Sequence, residues 1–384
     1  MQSWSSYVNI KAMEAVSGLL QRAKEMKTMG NIIDLLRLAK ERNASDLHLV
    51  VSSPPMLRIN GELASLDGML PLSPEEISTA FVQLTTPEQR EEFYKTLELD
   101  FGYSLAGVGR IRCNVAQQRG ALSFALRLLP LEIPTIDGLE LPQVCKELAL
   151  KPRGLVIVSG PTGSGKTTTL AAMIHHINAY RTCHIVTIED PVEYTHPNLK
   201  SAITQRELGS DTLSFPAALK HVLRQDPDVI LVGEMRDTET AAAVLTVAET
   251  GHLVLTTGHA PSTSQAMERV IDLFPPEQRY LAQTRLASLL IGVLCQTLVP
   301  RVDGSGRIAA IEIMLGNSAV RNLIREGKIY QLPNVIRTSN EEGMQTLDQT
   351  LVSLYLKGII SGESLVRFCN DRDEIEKLVG KVMV

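Results

Sequence analysis

Aromatic residues are scarce in this chain: Phe, Trp and Tyr make up 4% of its 384 residues. Surfaces that bind single-stranded nucleic acid stack bases on aromatic side chains, and those that follow a phosphate backbone need a basic stripe. No dense Lys/Arg block stands out, and 38 basic against 43 acidic residues leave a net charge of −5. These shortages together argue against nucleic acid as the main partner. Cysteine is sparse too. Cys113, Cys145, Cys183, Cys295 and Cys369 are scattered with no C-x-x-C pair, which argues against structural zinc and implies reduced thiols in the cytoplasm. Long apolar runs are also lacking. The longest, Leu286 to Val299, contains Ser288, Gly292, Gln296 and Thr297 and is shorter than a membrane span. The N-terminus lacks a signal-peptide pattern. The expected location is cytoplasmic, with any membrane association peripheral.

What the chain does contain is Gly160-Pro161-Thr162-Gly163-Ser164-Gly165-Lys166-Thr167, which fits the phosphate-binding pattern G-x-x-x-x-G-K-[ST]. It follows an apolar strand-like run, Leu155 to Val158, and precedes a helix-like run from Thr168 to Ile177, the setting the motif requires. Glycines let backbone N–H groups close around phosphate oxygens, and the helix start adds further donors and a positive dipole end. Gly160 to Thr168 are therefore expected to hold ATP. Lys166 would supply a point charge to the β- and γ-phosphates, and Thr167 a hydroxyl to Mg²⁺.

Around this loop the chain reads as several segments. Residues 1–30 form an extension, with Val16, Leu19 and Leu20 near helical spacing, which suits a weakly amphipathic helix or a solvated terminus. Residues 31–132 read as a small α+β domain. Ser73-Pro74-Glu75-Glu76 and Thr86-Pro87-Glu88-Gln89 are two capping boxes with Pro at the first helical position. Asn60-Gly61 signals a hairpin, and strands are expected at 46–51, 99–105, 110–118 and 121–129. Residues 133–150, punctuated by Pro134, Gly138 and Pro142, read as a linker. Residues 151–384 read as α/β. The runs Leu155–Val158, His184–Ile188, Val229–Val232 and Leu253–Thr257 are near-continuously apolar, as expected of a parallel sheet covered on both faces. After about residue 276 the pattern reads as mostly helical.

Hydrolysis needs metal and water to be organised, and carboxylates follow two of these runs. Gly233-Glu234 follows Val229–Val232, and Glu189-Asp190-Pro191-Val192-Glu193 follows His184–Ile188. Residues just beyond the C-terminal ends of parallel strands lie on the ligand side of such a sheet. His252 and His259 bracket the run Leu253–Thr257 and are candidates to sense a γ-phosphate or steady a water. On the polar face of the hairpin 110–129, a two-residue turn at Arg119-Gly120 would set Arg112 opposite Arg127. Like charges so placed call for an anion or carboxylate between them.

The order Gly160–Thr167, Glu189–Glu193, Gly233-Glu234 and His252…His259 resembles the Walker A, Asp box, Walker B and His box of secretion-superfamily ATPases. Within them it is similar to the PilT-type retraction ATPases of type IV pili. Ala44-Ser45-Asp46-Leu47-His48-Leu49, Glu249-Thr250-Gly251-His252-Leu253 and Val320-Arg321-Asn322-Leu323-Ile324-Arg325-Glu326 carry that likeness. The resemblance implies a PAS-like N-terminal domain, a RecA-like P-loop ATPase domain, and a homohexamer working with the inner-membrane pilus machinery through a platform protein. It assigns Glu193 to the attacking water, Glu234 to Mg²⁺ and the γ-phosphate, and Arg112 and Arg127 to a neighbouring subunit's phosphate. It casts Val320–Glu326 as a coupling surface. The family's Thr-Leu-His-Thr is Thr257-Gly258-His259-Ala260 here, with more backbone freedom expected at Gly258. Assembly ATPases usually carry a tetracysteine zinc element, which this chain lacks. A PilU-like accessory retraction ATPase, a type II secretion or pilus assembly ATPase and a non-hydrolysing nucleotide switch remain alternatives. A RecA-like helicase is disfavoured by the acidic balance.

Overall fold

The computed structural model describes residues 31–59, 61–129 and 132–382. The extension 1–30 and Asn60 of the expected hairpin lie outside them. The chain divides into two compact units, Met1–Leu131 and Glu132–Val384.

The first unit begins with the helix Ile32–Glu41, which buries Ile32, Leu35, Leu36 and Ala39, the i, i+3, i+4, i+7 stripe of an amphipathic helix. Its sheet comprises β1 (Asp46–Leu49), β2 (Met56–Ile59), β3 (Glu62–Ser65), β4 (Glu98–Leu105), β5 (Gly109–Gln118) and β6 (Ala121–Leu128), in the order β3-β2-β1-β6-β5-β4. Both capping boxes form: Ser73 with Glu76 starts the helix Pro74–Leu84, and Thr86 with Gln89 starts Pro87–Thr96. These helices deliver Phe81 and Phe93 to the core, where their rings meet edge-on at 5.0 Å.

The second unit is a seven-stranded sheet made of β7 (Gly154–Ser159), β8 (His184–Glu189), β9 (Ala202–Glu207), β10 (Val229–Val232), β11 (Leu253–Thr257), β12 (Leu290–Pro300) and β13 (Arg307–Leu315). The order is β13-β12-β7-β11-β10-β8-β9. All neighbours are parallel except β13, which runs antiparallel on β12. Alternate residues feed opposite faces. Leu155 and Ile157 pack with Ile188, Val232 and Val254 on one side. Val156 and Val158 pack with Ile185, Leu231 and Leu255 on the other. Both faces are dry, which is why these strands read as unbroken apolar runs. Each fully buried aliphatic side chain contributes roughly 1.5–3 kcal/mol.

One expectation needs correcting and another completing. Residues 133–150 are not a free linker. Ile136, Leu141, Val144, Cys145, Leu148 and Ala149 enter the core of the second unit, and the helix Val144–Ala149 is part of it. Pro and Gly mark turns here, but the apolar residues between them decide the packing. The region after 276 is mostly helical as read, but it also contains β12 and β13, which form the long antiparallel edge. The apolar run from Leu286 conceals a junction: the helix Pro276–Leu289 ends and β12 begins at Leu290.

Candidate active site

Because β7, β11, β10 and β8 are parallel neighbours, their C-terminal ends line one edge of the sheet. Register places Thr257 beside Val158, and Val232 beside both Ile188 and Thr256. The chain leaving each strand therefore brings the loop from Gly160, the acidic segment after Glu189, Gly233-Glu234 and Gly258-His259 together. This is the crevice where α/β sheets bind ligands.

The loop is closely built. Gly160 has φ 141° and Gly165 φ 88°, values that favour glycine. Gly165 caps the helix Lys166–Tyr180 without a side-chain bond, which leaves first-turn N–H groups to a ligand. Lys166 Nζ donates to Gly160 O at 2.9 Å and Pro161 O at 3.0 Å. Burial lowers the Lys166 pKa, opposed by Cys295 and Glu234. Ser164 Oγ is buried without a hydrogen-bond partner, and a phosphate in the loop would supply one. The Thr168 hydroxyl lies 3.2 Å from Tyr194 Oη.

Glu234 is buried, and Arg236 Nε and His259 Nε2 lie 2.6 and 3.3 Å from its Oε2. Gly258 is fixed rather than loose. Its N–H donates to Val158 O at 2.9 Å, and a Cβ there would lie 3.1 Å from Ser159 Oγ. Ser159 Oγ in turn donates to Ala260 O at 2.8 Å. The small residues of this His box thus make room for Ser159.

In the acidic segment, burial pushes the Glu189 carboxyl up to about 7. Hydrogen bonds from Thr187 Oγ1 at 2.7 Å and Gln205 Nε2 at 3.2 Å oppose this shift, while Glu193 and Glu207 add to it. Glu193 is half-buried, and Tyr194 beside it reaches Thr168, so the segment is tied to the loop helix.

His252 is not brought to this edge. It precedes β11, at the strand's opposite end, where its carbonyl accepts from Gly154 N at 3.0 Å. Its Nδ1 lies 3.1 Å from Val247 O, closing the helix Thr238–Glu249 onto the strand. Only one histidine of the pair, His259, sits by the carboxylates.

In the first unit Arg112 and Arg127 are cross-strand partners, and the turn has φ 49° at Arg119 and 79° at Gly120. The row continues through Asp46 to Arg58. Arg127 Nε is 2.9 Å and Arg58 Nε 3.7 Å from the Asp46 carboxylate. The Asp46 carboxylate thus lies between Arg127 and Arg58 and serves Arg127 from the side away from Arg112, and Arg112 is exposed.

Arg321 departs from its expected role. Its Nε donates to Gly316 O at 2.7 Å and its Nη2 to Leu290 O at 3.3 Å, so it braces the start of β12. On the helix Ser318–Arg325, which buries Val320 and Ile324, Arg325 remains exposed.

Arg236 and Gln296 escaped the reading of the sequence. Gln296 Nε2 donates to Ser164 O and its Oε1 accepts from Thr169 Oγ1, both at 2.7 Å. Arg236 had a signal in its position two residues past Glu234. Gln296 had none, since β12 itself was unrecognised.

The family model for type II/IV secretion system proteins matches residues 137–322. The type IV pilus retraction ATPase PilT of Pseudomonas aeruginosa is 44% identical over 334 residues, covering 87% of this chain and 96% of that protein. The type IV pilus ATPase PilU of the same organism is 41% identical over 345 residues, covering 90% of each. Among solved structures, the pilus retraction motor PilT with bound ADP superposes with a TM-score of 0.85 at 42% identity, covering 90% of this chain and 99% of that one.

Proposed function

The chain belongs to the type II/IV secretion system protein family, and on that footing we propose that it is an ATP-hydrolysing motor that drives type IV pilus retraction. One observation carries the reading: four parallel strands deliver a phosphate loop, two acidic segments and His259 to a single edge in a chain that spans 96% of a retraction ATPase. The motor is a homohexamer in the cytoplasm, seated on the inner-membrane pilus machinery. No helix among the described residues is long and apolar enough to cross a membrane.

The loop N–H groups, Ser164 Oγ and Lys166 receive the β- and γ-phosphates. Among the described residues no group of three or more His, Cys, Asp or Glu could hold a metal. Thr167 and Glu234 with nucleotide phosphates make a donor set that suits Mg²⁺, which neutralises charge as phosphoryl transfer proceeds. Arg236 and His259 orient the Glu234 carboxylate through one oxygen, leaving Oε1 for the site. Glu193 positions the attacking water. Arg112, joined by Arg127, reaches the γ-phosphate of a neighbouring subunit and offsets charge that develops there.

An accessory retraction ATPase is the second reading, favoured by the 41% identity to PilU. Phosphate release from ATP by the purified protein tests the chemistry. Glu234→Gln should bind ATP near-normally and turn over roughly 10²-fold more slowly or worse, and a parent that binds but does not hydrolyse ATP would make the protein a switch. Cells lacking it should be piliated and unable to retract; twitching that persists without it assigns the accessory role.

A further inference from the structure

We infer that Gln296 is a positioning residue of the phosphate loop, its amide holding the loop in the shape that receives a nucleotide; this rests on the loop's binding one. The placement follows from topology. β12 runs parallel to β7 with Cys295 opposite Ser159. One residue further, β12 is at Gln296 and β7 has passed into the loop at Gly160. The two backbones meet so closely that a Cβ on Gly160 would lie 2.3 Å from Gln296 O. From there the buried side chain crosses under the loop. Nε2 donates to Ser164 O at 2.7 Å, Oε1 accepts from Thr169 Oγ1 at 2.7 Å, and a Cβ on Gly165 would lie 2.8 Å from Nε2. One residue thus fixes the start of the loop, its last turn and the first turn of the helix.

The chemistry of the head group matters. A primary amide presents a donor and an acceptor side by side, and both are used. A carboxylate presents acceptors alone and would oppose Ser164 O. An aliphatic side chain would leave the Ser164 carbonyl and Thr169 hydroxyl without these partners in a buried place. In a trans peptide the C=O and the following N–H point in opposite directions. Holding Ser164 O toward Gln296 therefore turns Gly165 N–H the other way, away from β12 and into the concavity of the loop. Without the amide this peptide is free to rotate, and a phosphate loses a donor aimed at it.

The test compares the full-length parent with Gln296→Leu and Gln296→Glu, reading the Kd for ADP and the KM and kcat for ATP between pH 6 and 9. Gln296→Leu should raise Kd and KM tenfold or more at every pH, with kcat at saturating ATP changed less. A protonated glutamate has the amide's donor and acceptor, and burial favours that form. Gln296→Glu should therefore bind like the parent at pH 6 and approach the leucine variant at pH 9. Both variants should remain folded at the assay temperature without nucleotide, even where the lost partners lower the unfolding midpoint. Parent-like affinity in Gln296→Leu overturns the inference. So does a loss in both variants that is independent of pH and tracks a lowered unfolding temperature, since that assigns Gln296 to general packing. Binding by the parent tests the proposed function, and the ratio of variant to parent tests Gln296.

Discussion

Glu189→Gln should stabilise the protein at alkaline pH and not at acidic pH. Glu189 is buried, and that burial, with Glu193 and Glu207 adding to it, raises its carboxyl from the ordinary 4.5 to about 7. Between these values the folded chain keeps a proton that the unfolded chain releases. A group that binds protons more tightly when folded makes stability fall as pH rises. Its penalty is thus absent below about pH 4.5, grows through the window and is complete above about pH 7. At about 1.4 kcal/mol per unit of pKa, the full penalty is about 3 kcal/mol. Glutamine removes the charge and keeps an Oε1 to accept from Thr187 at 2.7 Å and Gln205 at 3.2 Å. For a unit the size of Glu132–Val384, a stabilisation of this order raises the unfolding midpoint by roughly 6–12 °C. Thermal unfolding of parent and variant, followed from pH 5 to 8.5, should show curves that converge at the acid end and separate with the variant higher at the alkaline end. A separation that does not change with pH, or a variant less stable than the parent at pH 8, would refute the reasoning.

Three further outcomes follow from the arginines. If Arg112 acts on a neighbour's nucleotide, mixing Arg112→Ala with Lys166→Ala subunits should restore part of the ATPase activity each lacks alone, because some interfaces regain an intact loop and an intact arginine; no recovery despite demonstrated subunit exchange counts against action in trans. Arg321→Ala should lower stability by roughly 1–3 kcal/mol through loss of its two backbone contacts. Arg325→Ala should leave folding and hydrolysis intact while reducing twitching, and normal twitching in that variant removes the coupling role from this exposed position.

The sequence was most legible where local rules and tertiary packing agree. Ser73 and Thr86 each stand three residues before a Glu or Gln, and both capping boxes form as read. The 110–129 hairpin could be registered from its turn alone, because a two-residue loop fixes every cross-strand pair, and Arg112 does face Arg127. Asp46 carries part of the family likeness, but its role as counter-charge is not legible in the sequence, since β1 joins β6 across some 80 residues (81 in the Arg127–Asp46 bond). His252 misled because a histidine near a strand gives no hint of which end it occupies until the strand's direction in the sheet is known. The residues 133–150 misled because turn-forming residues are a local signal, and the apolar side chains between them answer to a core that is not local.

The phosphate loop joins these two kinds of information. Its motif is read from eight consecutive residues, yet the reasons for its glycines differ. Gly163 has φ 78° and open space around its missing Cβ, so the backbone conformation alone accounts for it. Gly160 and Gly165 carry a second constraint. A Cβ at either would strike Gln296, at the carbonyl in one case and the side-chain amide in the other. Those two glycines register the approach of a strand that lies more than a hundred residues further along the chain. The same residue that demands their smallness supplies the hydrogen bonds that give the loop its form. A pattern that looks self-contained in the sequence is thus completed by β12, a strand that the residue pattern alone does not reveal. Such a loop is easy to find and hard to explain: the residues of the phosphate-binding pattern are contiguous, whereas the residue that hydrogen-bonds beneath them is reached only through the order of the sheet.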